Sequence, residues 1–274
     1  MEIPVARPPW SGVGKRLESA VRKALFDYGL IDGADSGVAV ALSGGKDSLL
    51  LLFMLRAILS HGFPDIPLIA VHVSGEFSCG AGIHLEFLQG ICRELAIPFH
   101  VRISSQKLDG LECYSCSRER RRLLFDAAKA AGMATIAFGH HRDDSAQTLL
   151  MNLLHKGEFA GNLPKVPMHD YGVTIIRPLI YVAEADIITF AQQHGFMRTM
   201  CRCPVGQNSM RKKVSDLLQE IEALYPHARE NIARASLLYG SDKALRLYST
   251  EKLELKRLEQ RYLCARCGGE GALL

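Results

Sequence analysis

A mainly parallel α/β sheet covered by helices on both faces is the fold class that this sequence predicts. Two observations carry the prediction. Short β-branched runs alternate with longer helical patterns, and a composition of 48% hydrophobic and 23% charged residues is that of an ordinary globular protein. At 274 residues the chain has room for one large core domain and a smaller appendage. Ligands of such sheets bind beyond the carboxyl ends of the strands, so we expect the functional residues there.

The predicted strands are runs of β-branched or small apolar residues at 38–42, 68–73, 99–103, 135–139 and 174–179. The predicted helices have apolar residues three and four apart, at 14–28, 48–61, 82–95, 117–131, 143–155 and 184–193. After residue 199 the pattern changes to helices without strands, at 208–225 and 227–262. We therefore expect a helical lead-in at residues 1–36, an α/β nucleotide-binding domain at 37–199, and a cysteine-containing loop with a helical region at 200–274.

The sequence shows no segment typical of secretion or membrane insertion. Residues 1–20 have no apolar stretch of the length that a secretory signal needs, and the apolar run at 49–55 is far too short to cross a bilayer. We therefore expect a cytoplasmic protein that is not bound to a membrane.

Positive charge is concentrated in two places, although the net charge is only +4. Residues 208–267 contain 12 Lys and Arg against 8 Asp and Glu, and a second group of arginines occurs at 118–122. Such a surface attracts polyanions such as RNA, although a solvated face is the ordinary explanation of a charge run. The candidate RNA contacts are Arg118, Arg120, Arg121, Arg122, Arg211, Lys212 and Lys213.

The sequence S-G-G-K-D-S at residues 43–48 lies between an apolar strand and an apolar helix. Adjacent glycines let the backbone turn tightly and direct successive N–H groups toward one anion at a helix start. Lys46 adds a mobile positive charge, the hydroxyls of Ser43 and Ser48 can bind phosphate oxygens, and Asp47 can help to hold magnesium. The adjacent glycines differ from the G-x-x-x-x-G-K-[ST] loop of the common NTPases. A glycine turn capped by Ser43 or Asp47 is the alternative explanation.

Cysteines provide a second candidate site. Cys113 and Cys116 open a predicted helix, so both sulfurs lie on one side of its first turn, where the helix dipole stabilises thiolates. Cys201 or Cys203 can supply a third thiol. Three thiolates suit an iron–sulfur cluster with one reactive iron, whereas four suit zinc or a closed cluster.

The remaining cysteines receive weaker assignments. Cys79 and Cys92 are interpreted as buried thiols, since Cys92 lies on the apolar face of a predicted helix. Cys264 and Cys267 form a second C-x-x-C, which is half of a zinc site. This pair could close across a homodimer, recruit Cys201, relay sulfur as a persulfide, or have no role.

Four stretches together resemble the PP-loop ATP pyrophosphatases and, within them, the tRNA 2-thiocytidine synthetase family. They are S-G-G-K-D-S at 43–48, C-Y-S-C-S-R-E-R-R at 113–121, G-H-H-R-D-D at 139–144 followed by Q-T at 147–148, and I-R-P-L at 176–179. The resemblance covers residues 38–213. The sequence departs from the family at C-R-C-P, residues 201–204, where the family has C-x-x-C; the spacing from Cys203 to Asn208 and Arg211 favours Cys203 as the matching cysteine.

The resemblance implies an enzyme that uses ATP, magnesium and a [4Fe-4S] cluster held by Cys113, Cys116 and Cys203 to thiolate an anticodon-loop cytidine of tRNA. It implies Lys46 and Asp143 as catalytic residues and Asp47 as a magnesium ligand. Core packing of His140 and helix capping by Asp143 and Asp144 are the alternative interpretations of those residues. The expected nucleotide contacts are Ala41, Ser43, Gly44, Gly45, Lys46, Asp47, Ser48, His72, Gly139, His140 and Asp144.

The expected partners are tRNA, a cysteine desulfurase or another sulfur donor, and a second copy of the chain in a homodimer. Two other functions are compatible with the sequence. One is a related enzyme acting on another substrate, including 2-thiouridine formation. The other is a metal-stabilised RNA-binding protein without turnover.

Overall fold

The protein was analysed as a computed structural model that describes residues 3–10, 12–59, 61–75, 85–106, 113–197 and 210–240. The strands are β1 (Val38–Ala41), β2 (Leu68–Ser74), β3 (Phe99–Ile103), β4 (Thr135–Ala137), β5 (Lys165–Met168) and β6 (Val173–Ile176). The helices are α1 (Val13–Asp27), α2 (Lys46–Ile58), α3 (Leu85–Glu94), α4 (Cys113–Ala130), α5 (Arg142–Lys156), α6 (Glu184–Gln193), α7 (Met210–Leu224) and α8 (Ala228–Tyr239).

One six-stranded sheet, in the order β3-β2-β1-β4-β6-β5, organises the chain. Every neighbouring pair is parallel except β5 with β6. The predicted mainly parallel fold is therefore confirmed. β5 was not predicted from the sequence, because Pro167 interrupts its pattern; proline is tolerated there since β5 is an edge strand.

The two faces of the sheet carry separate apolar clusters, as the alternation of side chains in a strand requires. Val38, Val40 and Ala70 face a cluster that also contains the buried side chains of α1, α2, α3 and α6. Ala39 and Val71 face the opposite cluster, which includes the apolar side of α4. Residues 49–55 of α2 are all buried, which explains why that run is apolar on every side of the helix.

The topology places a crevice at the middle of the sheet. From β1 the chain first builds outward through β2 and β3, and it then returns to β4 on the other side of β1. The carboxyl ends of β1 and β4 therefore border the point where the direction of winding changes, which is where open α/β sheets bind ligands.

The helices α7 and α8 pack against α5, whose first residues lie beside that crevice. Val214, Leu218 and Ala233 are the buried apolar residues on α7 and α8. The predicted boundary near residue 200 lies outside the described residues. Among the helices that are described, none is both long and apolar enough to span a membrane.

Candidate active site

The phosphate loop is a closed turn between β1 and α2. Gly44 has a φ of 82°, a left-handed conformation that glycine adopts without strain. Its N–H donates to Ser48 Oγ at 3.1 Å, and Ser48 Oγ donates to the carbonyl of Gly45 at 3.0 Å. Ser43 Oγ lies 3.1 Å from Ser48 Oγ. The two serine hydroxyls thus meet at the start of α2, as the sequence motif predicts.

Lys46 is the cation of this loop and is held by two carboxylates. Its Nζ lies 3.1 Å from Asp47 Oδ1 and 2.9 Å from Glu184 Oε1, and its side chain is only 17% exposed. Burial by itself lowers the pKa of Lys46, but the two carboxylates outweigh that effect and raise the pKa above its ordinary value. The ammonium is therefore charged at every physiological pH.

Three helix N-termini converge here, those of α2, α5 and α6. The carboxylate of Asp143, in the first turn of α5, accepts the backbone N–H of Glu184 at the start of α6 at 2.6 Å. The N–H of Arg142 donates to the carbonyl of Val182 at 2.9 Å, just before α6. Asp143 occupies the start of α6, so the N-terminus of α2, with its partial positive charge, and the ammonium of Lys46 are the features that favour an anion such as a triphosphate.

Gly139 follows β4 and lies directly against the phosphate loop. A methyl group added at Gly139 would lie 3.1 Å from the backbone carbonyl carbon and oxygen of Asp47 and from the nitrogen of Ser48. This spacing is tighter than ordinary van der Waals contact. The absence of a side chain is therefore what allows the two predicted motifs to meet.

His140 lies between an aromatic ring and a buried guanidinium. Its ring stacks on Phe138 with centroids 5.7 Å apart, and Arg177 Nε donates to its Nδ1 at 3.4 Å. Burial, and then the positive charge of Arg177, lowers the pKa of His140 to about 3. Burial also lowers the pKa of Arg177 to about 10, so Arg177 stays charged and His140 stays neutral.

The two aspartates of G-H-H-R-D-D have different surroundings. Asp143 is almost fully buried, and its Oδ1 lies 3.7 Å from Arg229 Nε while its Oδ2 holds Glu184. Asp144 Oδ2 accepts the N–H of His141 at 3.1 Å, and its Oδ1 lies 3.6 Å from Arg211 Nη1. The start of α5 is therefore linked to both α7 and α8.

Asp144 and His141 are two further titratable residues at the crevice. Burial raises the pKa of Asp144, but the ring and the backbone N–H of His141, together with Arg211, outweigh burial and lower it. His141 Nε2 lies 3.8 Å from Asp47 Oδ1, so the two motifs approach each other through these side chains as well. Asp47 Oδ1 is buried and faces the Lys46 ammonium at 3.1 Å, without a well-aligned hydrogen bond among the described residues; its assignment to magnesium stays a prediction.

His72 and Ala41 lie near the carboxyl ends of β2 and β1. His72 is buried, and its Nδ1 lies 2.7 Å from the carbonyl oxygen of Leu42. Burial lowers the pKa of His72, and the nearby charge of Arg120 lowers it further. The imidazole is therefore neutral and fixed beside the residue that precedes the phosphate loop.

The candidate RNA contacts occupy two helices. Arg118, Arg121 and Arg122 are exposed on α4, whereas Arg120 is half-buried, with an Nη1 that has no hydrogen-bond partner among the described residues. On α7, Arg211 is paired with Asp144 and Gln147, Lys212 with Asp216, and Lys213 is exposed. Their assignment to RNA stays a prediction.

The cysteine site is described only in part. α4 begins at Cys113, four residues before the helix predicted at 117–131, so both cysteines of the motif lie at its start, and Cys116 is half-buried in the first turn. Cys79, Cys201, Cys203, Cys264 and Cys267 lie outside the described residues. No group of three His, Cys, Asp or Glu that could hold a metal occurs within the described part of the chain. Cys92 is buried, and burial raises the pKa of its thiol to about 12, as befits an unreactive core residue.

Three site residues received no role from the sequence. Glu184 was predicted only as a helix start, although an acidic residue shortly after I-R-P-L is a usable signal. Arg177 lies in that same motif, where a buried arginine is unusual enough to suggest a function. Arg229 has no local sequence signal, since its place beside Asp143 depends on the packing of α8 against α5.

Comparison with known proteins identifies the family of the chain. The PP-loop domain model matches residues 15–198. The tRNA-cytidine(32) 2-sulfurtransferase of Bordetella avium is 35% identical over 239 residues, which cover 84% of this chain and 75% of that protein. The protein of the same name from Xanthomonas euvesicatoria is 37% identical over 232 residues, which cover 81% and 75%.

Among solved structures, the U34-tRNA thiolase NcsA from Methanococcus maripaludis with its [4Fe-4S] cluster is similar. Its TM-score is 0.66 at 26% identity, and the match covers 81% of this chain and 77% of that chain. The resemblance inferred from the motifs is confirmed. The chain belongs to the PP-loop domain family and, within it, to the tRNA-cytidine(32) 2-sulfurtransferase family.

Proposed function

We propose that this protein is an ATP-dependent sulfurtransferase that replaces the 2-oxygen of the cytidine at position 32 of tRNA with sulfur. One observation carries the proposal beyond family membership. The phosphate loop, the G-H-H-R-D-D motif and three helix N-termini meet at one crevice around a charged lysine. Such an arrangement supports binding of a nucleotide triphosphate with magnesium and cleavage that releases pyrophosphate.

The reaction needs ATP because the oxygen on the pyrimidine ring is a poor leaving group. The base oxygen attacks the α-phosphorus of ATP, the bond to pyrophosphate breaks, and the base carries AMP on that oxygen. A sulfur nucleophile then attacks the ring carbon, and the carbon–oxygen bond breaks with departure of AMP. Lys46 and the N-terminus of α2 would stabilise the charge that develops on the leaving pyrophosphate.

The donor set of α4 fits an iron–sulfur cluster. Cys113 and Cys116 lie three residues apart at the start of one helix, and soft thiolates are the ligands that iron–sulfur clusters prefer. Cys203 is the proposed third ligand. A [4Fe-4S] cluster with three protein ligands supplies, when bound, an iron that can hold the sulfur to be transferred.

The substrate and partners follow from the same assignment. The exposed arginines Arg118, Arg121 and Arg122 would bind phosphates of the tRNA. All three lie on α4, the helix that begins at Cys113. A cysteine desulfurase or a low-molecular-weight donor would deliver the sulfur in the cytoplasm. A homodimer is proposed as the assembly, with the Cys264/Cys267 pair as its candidate contact.

Nucleoside analysis of tRNA from a deletion strain tests the proposal. The strain should lack 2-thiocytidine, and a plasmid copy of the gene should restore it. A Lys46→Ala copy should not restore it, whereas Cys92→Ala, which changes a buried core thiol, should. Unchanged 2-thiocytidine in the deletion strain would remove the assignment.

The structural likeness to the U34-tRNA thiolase supports a second candidate, thiolation of a uridine. The same nucleoside analysis separates the two, because that activity predicts loss of 2-thiouridine with 2-thiocytidine retained.

A further inference from the structure

Four polar residues connect the C-terminal helices with the phosphate loop. Arg229 Nε lies 3.7 Å from Asp143 Oδ1. Asp143 Oδ2 accepts the backbone N–H of Glu184 at 2.6 Å, and Glu184 Oε1 lies 2.9 Å from Lys46 Nζ. The residues belong to α8, α5, α6 and α2 in turn. Each contact therefore fixes two helices relative to each other.

The link between Arg229 and Asp143 is shielded from water. Their side chains are 14% and 7% exposed. Arg229 Nε donates to Glu222 Oε2 of α7 at 2.9 Å, so its contact with Asp143 is an ion pair and not a hydrogen bond. Charge pairs with little exposure are screened less than surface pairs. Arg142 Nη2 also lies 3.6 Å from Asp143 Oδ1, so Asp143 retains one cation when Arg229 is removed. The carboxylate of Asp143 is thus held in one orientation by contacts to both of its oxygens.

Glu184 differs from the other anionic neighbour of Lys46. Asp47 follows Lys46 on α2, so the two residues move together with the start of that helix. Glu184 lies on a separate helix and is 138 residues distant in the sequence. It is therefore the contact that ties the position of the ammonium to the rest of the site.

We propose that Glu184 is a positioning residue that sets the location of the Lys46 ammonium over the phosphate loop, and that Arg229 acts on the same lysine through Asp143 and Glu184. The inference rests on the proposed function for the use of ATP. Through the pair of Arg229 with Glu222, it also connects α7, which carries the candidate RNA contacts Arg211, Lys212 and Lys213, with the site of ATP cleavage.

Chemical labelling of Lys46 tests the geometry without requiring turnover. Acetylation of this lysine, followed by mass spectrometry on the full-length protein, should be at least threefold faster in Glu184→Gln and in Arg229→Gln. Loss of the contact with Glu184 releases the amine from its buried position and exposes it to the reagent. Asp186→Asn removes a charge from the same turn of α6, and Arg234→Gln removes an exposed arginine from α8; both should label like the wild type.

The kinetics of tRNA-dependent pyrophosphate release test whether the position of Lys46 sets the rate of ATP cleavage. Glu184→Gln should lower kcat at least tenfold without raising KM for ATP, because the carboxylate competes with the triphosphate for Lys46 in the ground state. Glu184→Asp should recover part of the loss. Arg229→Gln should lower kcat severalfold, and the double variant should be no slower than Glu184→Gln alone, since both changes act on one lysine.

The outcomes distinguish this inference from the proposed function. Wild-type labelling rates in Glu184→Gln, equal effects from the control variants, or additive losses in the double variant would overturn the positioning role. Thermal unfolding of each variant identifies any that fail to fold, and Glu184→Asp and Arg229→Lys then replace them. A wild-type protein that releases no pyrophosphate contradicts the proposed function, while the labelling result still decides the role of Glu184.

Discussion

The α-carbon of Gly139 faces the backbone of Asp47 so closely that an added methyl group would lie 3.1 Å from the Asp47 carbonyl. Two motifs that are about ninety residues apart in the sequence are joined at this contact, since one follows β1 and the other follows β4. The phosphate loop therefore depends on a glycine outside its own motif.

Gly139→Ala should destabilise the nucleotide-free protein by about 1–3 kcal/mol, because overpacking against backbone forces the loop or β4 to shift. Urea unfolding followed by circular dichroism measures the change. Gly45→Ala is the matched control: it adds the same methyl group at a φ of −74°, with the nearest contact at 3.6 Å. Equal stability of the two variants would contradict the close approach.

Because the pKa of His140 is lowered by folding, the folded protein should lose stability in mild acid. The pKa of His140 is about 3 in the folded protein, against an ordinary value of 6.5, so the unfolded chain binds a proton in this interval that the folded protein does not. The contribution is fully present above pH 6.5 and is lost as the pH falls toward 3. His140→Asn, which retains an acceptor for Arg177, should therefore gain stability relative to the wild type by on the order of 1–2 kcal/mol between pH 8 and pH 5.

Urea unfolding of the wild type and His140→Asn at both pH values measures this difference. A difference that does not change with pH would show that the folded imidazole accepts its proton at an ordinary pH.

The exposed arginines of α4 predict salt-dependent tRNA binding. Arg118→Ala and Arg122→Ala should each weaken binding and reduce the slope of log affinity against log salt by about one, as expected for loss of one phosphate contact. Lys129→Ala, exposed in the last turn of the same helix, is the control. Filter binding across a salt series measures the slopes. Identical slopes in all three variants would place the tRNA elsewhere.

The cysteines at the start of α4 should be needed for binding of the cluster but not for binding of ATP. Cys113→Ser and Cys116→Ser should remove the visible absorbance of the anaerobically purified protein and leave ATP affinity within about twofold of the wild type, because the phosphate loop is built from other elements. Cys92→Ala should keep the absorbance, since its buried thiol is part of the core. Retained absorbance in both serine variants would refute the assigned ligands.

Much of this site could be predicted from the sequence because its parts are local. The phosphate loop is one continuous hexapeptide, and α6 was predicted at the residues where it occurs, since its apolar spacing and acidic first turn are local signals. β5 was missed, because Pro167 is acceptable only at an edge that tertiary structure defines. The roles of Glu184 and Arg229 were missed for a similar reason: they arise from contacts between helices that the sequence does not register.

Cleavage of ATP and thiolation of a tRNA cytidine should be coupled at this site. Pyrophosphate and 2-thiocytidine can be quantified together in one anaerobic reaction containing the cluster-loaded protein, tRNA, ATP, magnesium and a sulfide source. We expect equal amounts of both products from the wild type, neither product from Lys46→Ala, and no 2-thiocytidine from Cys116→Ser. Formation of 2-thiocytidine without ATP, or by the Lys46→Ala variant at the wild-type rate, would contradict this coupling.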